Sequence, residues 1–502
     1  MVRIRDLCHS TKPTNRCYNT YVKKIVISKL FLYRYRFIIG YSILGFVFAS
    51  LLFLLPVIAQ HGLSQDEINS ATTSFSLSTA NMLEGNVIDL PYHILQKISI
   101  LLFGLTPYSI KLPSILIGLA LGFLLMLLLS RWFKSNVSLL ASCLVVLSTP
   151  FLFLAGSGTP LIMLVFWPAL LLWLGSKIQG EKRPKPLYCF IFALAMLISV
   201  FTPYMLYFAV FCVLFVLFQP HLRFIIKGLP KLPLIITLIV LLGGFTILGI
   251  GIFHRPEVIP ELLLSKNFDF NLFFGNITSA LALVFSWHQS IESVFLSPLI
   301  SLPVFALALI GLFSTTKGFF ASRNSIASLL LVFCVIITGF NPNAIIFLIL
   351  PCSILVAHGI KYLLEKWYGL FPENPYARIS ALLPLIILFD IMIVPGLLQY
   401  AYGYRYNPTT ADKFSYKLSV INENVKNGTL FVFDNYDFYK ILERKTDIKV
   451  INTLDEKYER ISFLGKPEDL GDDYKLEHIF TSPMRDNSDI IYLYTYTEIE
   501  GE

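Results

Sequence analysis

The chain has 502 residues, of which 55% are hydrophobic and 14% are charged, and its formal net charge is +8. A soluble domain carries about 25% charged residues, so this chain has too little polar surface to cover itself in water. Its seven cysteines fall in the basic N-terminal segment or in apolar runs, a pattern that fits neither a disulfide framework nor a zinc site. The composition predicts an integral membrane protein.

Long apolar runs predict about eleven transmembrane helices, because a bilayer core of about 30 Å needs roughly 20 helical residues. The expected fold class is therefore an all-α polytopic membrane protein. In chain order the predicted spans are residues 37–59, 111–130, 136–154, 160–176, 187–202, 203–219, 232–253, 293–313, 325–340, 343–360 and 379–400.

The lysines and arginines between these spans predict the orientation. If the basic segment 1–36 is cytoplasmic, the cytoplasmic segments hold 23 basic residues and the outer loops before residue 401 hold four. The first span resembles an anchor, since no small-residue cleavage site follows Pro56. We therefore expect a multi-pass plasma-membrane protein with a cytoplasmic N-terminus.

Three domains follow from this reading: the basic segment 1–36, a transmembrane domain over 37–400, and a small domain over 401–502. The transmembrane domain carries two long outer loops, at 60–110 and 254–292. After residue 400 the pattern predicts a small extracytoplasmic α/β domain. Its predicted strands are Thr429–Phe433, Ile448–Asn452, Leu476–Phe480 and Asp489–Tyr494, and its predicted helices are Lys417–Lys426 and Tyr436–Lys445.

The first outer loop opens with a capping box, in which Ser64 is the N-cap and Glu67 is the third helical residue. The helix that follows is predicted to lie along the membrane surface. Glu67 is accounted for by the cap, with a catalytic role as the alternative. Asp66 is not needed for the cap, so its carboxylate could take a proton or bind a divalent cation at the outer face.

Further polar residues in the same loop are candidates for substrate binding. Glu84 follows the predicted surface helix, and His93 and Lys97 lie four residues apart, so that they share a helix face. Alone, a histidine is usually structural and a lysine usually an interfacial anchor. Together with Asp66 they indicate a site for an anion.

Several of these segments resemble the first outer loop of the C-type glycosyltransferases, in the branch of protein O-mannosyltransferases and aminoarabinose transferases. The similarity extends over roughly residues 37–400. It rests on short motifs, namely Asp66-Glu67, Leu83-Glu84-Gly85, Pro91-Tyr92-His93, Leu102-Phe103-Gly104, Lys111-Leu112-Pro113-Ser114, Ile345–Lys361 and Asn374–Arg378.

The resemblance implies transfer of a sugar from a polyprenyl-phosphate carrier to an acceptor on the outer side. The acceptor could be a glycan, a lipid or a protein. Asp66 would act as general base or hold a metal ion, in a single displacement with inversion. Cations near the leaving phosphate would stabilise its developing charge, and the candidates are Lys97, Lys111, His254 and Arg255.

The sequence departs from the family pattern at three places. Lys111 stands where an arginine is usual, which keeps the charge but loses the bidentate fork. The stretch Gly156–Pro160 lacks an expected acid, and Asn341 and Asn343 stand near an expected basic position. These departures leave the sugar undetermined and keep an inactive, lipid-binding relative as an alternative.

Other features remain open. His288, beside Trp287, could contact a sugar in the second long loop, and Asp390 lies within the last predicted span. A lipid or glycan transporter is the rival function, although the chain shows no convincing internal repeat of the kind that transporters carry. No glycine-rich phosphate loop is present, so we expect no nucleotide cofactor. We also expect no nucleic-acid partner. A divalent metal ion is the one possible cofactor.

Overall fold

The computed structural model describes most of the chain from residue 31 onward. The described residues are 31–59, 62–77, 87–180, 186–228, 231–263, 269–285, 296, 298–318, 321–370, 376, 380, 382–407, 413–425, 427–454, 456–467, 470, 473–481 and 489–496. The predicted cytoplasmic segment 1–36 lies almost wholly outside these residues.

Helices dominate the first four hundred residues, and we number them in chain order. They are α1 (Phe31–Ala59), α2 (Gln65–Ser76), α3 (Leu90–Phe103), α4 (Pro107–Trp132), α5 (Ser135–Val146), α6 (Thr149–Gly156), α7 (Met163–Gly180), α8 (Pro186–Ser199), α9 (Met205–Phe218), α10 (Pro220–Lys227), α11 (Lys231–His254), α12 (Val258–Leu263), α13 (Phe273–Phe285), α14 (Leu302–Thr316), α15 (Ser322–Phe340), α16 (Ile349–Leu370) and α17 (Leu382–Tyr406).

Within the described ranges, six helices are long and apolar enough to cross a membrane, or seven if a bent pair counts as one span. The bent pair is α5 and α6, which meet at 66° where Pro150 opens α6. Each of the eleven predicted spans overlaps an apolar helix or this pair. The chain is a multi-pass membrane protein, and the number of crossings stays a prediction because several helices have only 10–17 residues.

Two glycines bring α14 and α16 into close contact. A Cβ atom on Gly311 would collide with the carbonyl oxygen of Leu355, and one on Gly359 would collide with that of Leu307. Small residues allow such close backbone approach in membranes, where apolar burial alone does not drive helices together. This pair of helices therefore packs backbone against backbone.

The C-terminal region is the predicted small α/β domain. Its elements are β2 (Phe414–Ser415), α18 (Lys417–Asn424), β3 (Asn427–Phe431), α19 (Tyr436–Tyr439), a 3-10 turn (Lys440–Arg444), β4 (Asp447–Ile451), β5 (Arg460–Leu464), β6 (Tyr474–Phe480) and β7 (Ile491–Tyr496). Five strands form one sheet in the order β4-β3-β5-β7-β6. The pairs β3–β4 and β3–β5 are parallel, and the remaining pairs are antiparallel.

Four strands of this sheet match the predicted strands, but the prediction missed the central strand β5. Ile461, Ser462, Phe463 and Leu464 are all buried, so β5 lacks the polar–apolar alternation by which a half-buried strand is recognised.

The first outer loop and the C-terminal domain share one hydrophobic core. Leu63 and Ser64 form the short strand β1, which pairs antiparallel with β2. Ile68 of α2 and Ile100 of α3 pack in the same buried cluster as Ile421 of the C-terminal domain. The apolar face of α2 therefore packs on α3 and on the C-terminal domain.

Helix α3 instead carries the exposed apolar surface of the loop. Leu95, Ile98 and Leu102 are 45%, 48% and 65% exposed, while Tyr92 and Gln96 are fully buried. An amphipathic helix with this division fits the interface between bilayer and water.

We expect Gly359→Ala to lower the stability of the protein, because the new methyl group must push α14 away from α16. Overpacking of this kind costs about 1–3 kcal/mol. Gly369→Ala is the matched control in the same helix, since nothing lies within 4 Å of its Cβ position. Thermal unfolding of both variants in detergent measures the difference, and equal midpoints would contradict close packing at Gly359.

Candidate active site

The capping box at the start of α2 is present as predicted. The Ser64 hydroxyl accepts a hydrogen bond from the Glu67 backbone N–H at 3.3 Å, and the Glu67 Oε2 accepts one from the Ser64 N–H at 2.8 Å. Both bonds satisfy amide groups that the helix start would otherwise leave without partners. The two bonds between Ser64 and Glu67 therefore fix the first turn of α2.

Glu67 does more than close the cap. Its side chain is fully buried, and its second oxygen, Oε1, accepts a hydrogen bond of 2.6 Å from the Gly158 N–H. The Lys111 ammonium lies 3.8 Å from the same oxygen and donates to the Gly62 carbonyl at 2.9 Å. A buried carboxylate needs such partners because desolvation strongly disfavours an isolated charge.

Lys111 is buried beside Glu67 and is not exposed to a substrate. Only 2% of its surface is exposed, and its ammonium group faces Glu67. The resemblance implied that Lys111 could contact the leaving phosphate of a substrate. In the structure it instead neutralises Glu67 and joins the start of α4 to the start of α2.

Gly158 explains the departure of the stretch Gly156–Pro160 from the family pattern. Its N–H binds Glu67, and its carbonyl oxygen accepts from the Gln96 side chain at 2.9 Å. A Cβ atom at Gly158 would lie 2.7 Å from the side chain of Ile110, so only glycine fits there without displacement. Backbone groups thus supply the polar contacts at this point.

A hydrogen-bond network joins α2 and α3. The Ser74 hydroxyl lies 2.7 Å from His93 Nδ1 and 2.6 Å from Gln96 Oε1, which also accepts from Ser70 at 2.9 Å. Burial lowers the pKa of His93 to about 4, so the ring is neutral near pH 7. The sequence analysis missed Ser70, Ser74 and Gln96, although polar residues spaced three or four apart indicate a polar helix face.

Asp66 has the opposite environment from Glu67. It is the second residue of α2 and is exposed. Beside it, Gln65 donates to the Asn435 side chain of the C-terminal domain at 3.1 Å. The helix start thus buries one carboxylate and presents its neighbour outward.

Lys97 lies well away from Asp66. Its ammonium group donates to the carbonyl oxygen of Leu77, the C-cap of α2, and His93 contacts Ser74 in the same last turn. Eight helical residues separate Ser74 from Asp66, a distance of about 12 Å at 1.5 Å per residue. The structure therefore does not bring Asp66, His93 and Lys97 together.

His254 and Arg255 are both exposed where α11 ends. The end of α11 packs on the first outer loop, since a Cβ atom on Gly251 would lie 2.7 Å from Val87, and Val87, Leu248 and Val258 share a buried cluster. These two residues thus stay available to an anion near the first outer loop.

Asp89 is a buried acid that the sequence analysis assigned no role. It precedes α3 with a positive φ of 50° and makes no side-chain cap. Its side chain bonds with Thr202, and burial raises its pKa to about 8. Its Oδ1 is buried without a hydrogen-bond partner. The fold therefore favours the protonated carboxyl group.

Two candidate residues, Glu84 and His288, lie outside the described residues. Asp390 is exposed on α17.

Among the described residues, no group of three histidine, cysteine, aspartate or glutamate side chains could hold a metal ion. Asp66 offers one carboxylate, which fits only an ion that takes its other ligands from substrate and water, as Mg²⁺ commonly does.

Comparison with solved structures gives the fold. ArnT from Cupriavidus metallidurans in the apo state aligns with a TM-score of 0.54 and 12% identity over 91% of this chain and 98% of that one. The chain has the C-type glycosyltransferase fold. Its predicted resemblance to these enzymes is confirmed.

One family model and two further solved structures are also similar to parts of the chain. Residues 91–245 match a family described as dolichyl-phosphate-mannose-protein mannosyltransferase. ArnT from C. metallidurans bound to undecaprenyl phosphate aligns at 11% identity over 92% and 99% of the two chains, with a TM-score of 0.49. The apo oligosaccharyltransferase of Archaeoglobus fulgidus aligns at 10% identity over 79% and 63%, with a TM-score of 0.48. A search of curated proteins finds no match.

The buried pair predicts a specific pattern of stability. Lys111→Met leaves the Glu67 carboxylate without its counter-charge, and removal of one partner of a buried pair costs about 3–5 kcal/mol. The double variant Glu67→Gln/Lys111→Met buries no charge, so it should unfold at a higher temperature than Lys111→Met. A double variant that loses the sum of both single effects would show that the two residues are not coupled.

Asp89 predicts a pH-dependent effect. Since its folded pKa is raised above its unfolded value, its contribution to stability is largest below pH 4 and is lost as the pH rises towards 8. Asp89→Asn removes this loss, because a neutral amide replaces the acid. The unfolding midpoint of the variant relative to the natural protein should therefore rise between pH 5 and pH 9. A difference that stays constant with pH would contradict the buried, protonated state.

Proposed function

We propose that this protein is a membrane glycosyltransferase that moves a sugar from a polyprenyl-phosphate carrier to an acceptor hydroxyl, with Asp66 as its catalytic carboxylate. The observation that carries the proposal is the start of α2, where the buried Glu67 fixes the helix and the adjacent Asp66 is exposed. The family description matched by residues 91–245 supports the sugar and carrier classes, because it names a dolichyl-phosphate mannose and a protein acceptor.

The proposed reaction is a single displacement. Asp66 accepts the proton of the acceptor hydroxyl as its oxygen forms a bond to the anomeric carbon. The bond between that carbon and the phosphate oxygen breaks on the opposite face, and the polyprenyl phosphate leaves with the electron pair. Attack opposite to the leaving group inverts the anomeric centre.

Charge on the leaving phosphate requires cations on the outer side. Because Lys111 is paired with Glu67, the role falls to His254 and Arg255, which are exposed at the end of α11. Arg255 has a guanidinium group that can bind two phosphate oxygens at once. In the alternative role of Asp66, its carboxylate would be the protein ligand of a divalent ion, and that ion would supply positive charge to the substrate.

An apolar cavity offers room for part of a lipid carrier. It has a volume of about 230 Å³ and lies among α13, α14, α15 and α16, with Leu281, Phe305, Leu309 and Val335 in its lining. Nearly all lining groups are hydrocarbon, which is the environment that an isoprenoid chain needs.

The charge distribution of the loops supports the orientation in which the reaction occurs outside the cell. The basic loops then face the cytoplasm, and α2, Asp66 and the C-terminal domain face outward. A reporter enzyme that works only in the cytoplasm, fused after Glu502, should be silent. An active fusion would place Asp66 on the cytoplasmic side and overturn the proposed reaction site.

The residue test is Asp66→Asn, which preserves size and removes the base. We expect turnover to fall by about 100-fold or more. The unfolding midpoint should barely change, since a surface charge near a helix start contributes only about 0.3–1 kcal/mol. Transfer is measured with purified protein, a polyprenyl-phosphate sugar and an acceptor extract.

Asp447→Asn is the matched control, because Asp447 is an exposed acid at the start of β4, and it should leave turnover unchanged. An Asp66→Asn variant that folds and transfers sugar at the normal rate would remove Asp66 from the mechanism. Equal use of a free nucleotide sugar would instead count against the lipid-linked donor.

A further inference from the structure

A second cationic site lies at the other end of α2, where the C-terminal domain meets the first outer loop. The Arg444 guanidinium stands over the ring of Phe75 at 4.5 Å, and the Lys97 ammonium lies 5.9 Å from the centre of the same ring. Phe75 is nine residues from Asp66 along α2, which corresponds to about 13.5 Å. This pair is therefore separate from the proposed catalytic carboxylate.

The two cations repel each other. The charge of Arg444 lowers the pKa of Lys97, after a larger lowering by burial. Within the described residues, neither side chain forms an ion pair with a carboxylate. The adjacent acid, Glu443, uses its Oε1 to accept from the Val450 N–H at 2.8 Å. Because no carboxylate among the described residues neutralises either cation, the pair around this ring creates a local excess of positive charge that an anion would relieve.

Donor groups for an anion remain at this site. Among the described residues, Lys97 directs one N–H to the Leu77 carbonyl, and two of its three donors make no other bond there. Arg444 is exposed, and its planar guanidinium can bind two oxygens of a phosphate. A third cation, Lys445, donates to the Leu102 carbonyl at 2.7 Å at the end of the same helix α3.

The height of the site relative to the membrane follows from α3. Leu95, Ile98 and Leu102 form one exposed stripe of this helix, and Leu101 and Phe103 near its C-terminal end are also exposed; the exposed fractions lie between 45% and 65%. Such a face is stable when it enters the boundary between acyl chains and headgroups. Lys97 belongs to the same helix, and Lys445 bonds to its last turn. If the apolar stripe enters this boundary, these cations lie near the lipid phosphates.

From the stacked cations and the exposed apolar face we propose that Lys97, Phe75 and Arg444 form a binding site for the phosphate of an anionic membrane lipid. The phosphate binds between the two cations, and its acyl chains lie along the apolar face of α3. The C-terminal domain supplies Arg444, so the bound lipid also holds this domain against the first outer loop. The site does not depend on the proposed transfer reaction.

The test is direct binding of short-chain phosphatidic acid to the full-length protein in detergent, followed by native mass spectrometry. Short-chain phosphatidylcholine and inorganic phosphate are the comparison ligands. We expect phosphatidic acid to bind at least about tenfold more tightly than either, because only it combines net negative charge with acyl chains. Inorganic phosphate that binds equally well, or phosphatidylcholine that does, would overturn a site for an anionic lipid.

Two variants and two matched controls locate the site. Arg444→Ala and Lys97→Gln should each weaken phosphatidic acid binding by about fivefold or more, since each removes one charge-assisted contact. Arg460→Ala and Lys449→Gln are the controls, because these exposed cations already face Glu477 and Glu456. All four variants are checked for an unchanged unfolding midpoint. Binding that is unaffected by Arg444→Ala and Lys97→Gln, or equally weakened by the controls, would contradict the proposal.

Discussion

The architecture around the start of α2 depends on one buried carboxylate. Glu67 cannot be placed in a protein interior without partners, because an unpaired charge there is strongly destabilising. It receives three of them, from Ser64 in its own cap, from Gly158 after α6, and from Lys111 in α4. These contacts join segments that are far apart in sequence. The first turn of α2 is consequently held by α4 and by the segment after α6 as well as by its own cap.

The burial of Glu67 gives the two adjacent acids, Asp66 and Glu67, different roles. Asp66 and Glu67 have nearly identical chemistry, but successive helical residues differ by about 100° in direction. Once Glu67 is buried, Asp66 must face another side, and it is exposed. The C-terminal domain also holds the start of α2, since β2 pairs with β1 immediately before this helix. A rigid first turn is what a catalytic carboxylate requires, because misplacement by 1 Å can lower a rate about 100-fold.

Local features of the region around α2 could be predicted from the sequence, whereas long-range ones could not. The capping box at Ser64 and the apolar helices follow from patterns of a few residues, and the structure contains them. The pairing of Glu67 with Lys111 joins residues 44 positions apart, and no local pattern encodes it. Gly158 acts through its backbone, so its residue type gives little indication of a contact with Glu67. Strand β5 was missed because it is buried on both faces. The proposed lipid contact of Arg444 could not be predicted either, because it depends on how the C-terminal domain packs on α2.

The central claim is that the anchored start of α2 presents Asp66 to the reacting sugar. A structure of the full-length protein with a non-transferable polyprenyl-phosphate sugar bound tests it most directly. We predict that the anomeric carbon lies beside the first turn of α2, with Asp66 facing it across a gap that fits one acceptor hydroxyl. A donor bound elsewhere, with Asp66 facing only solvent, would contradict the account.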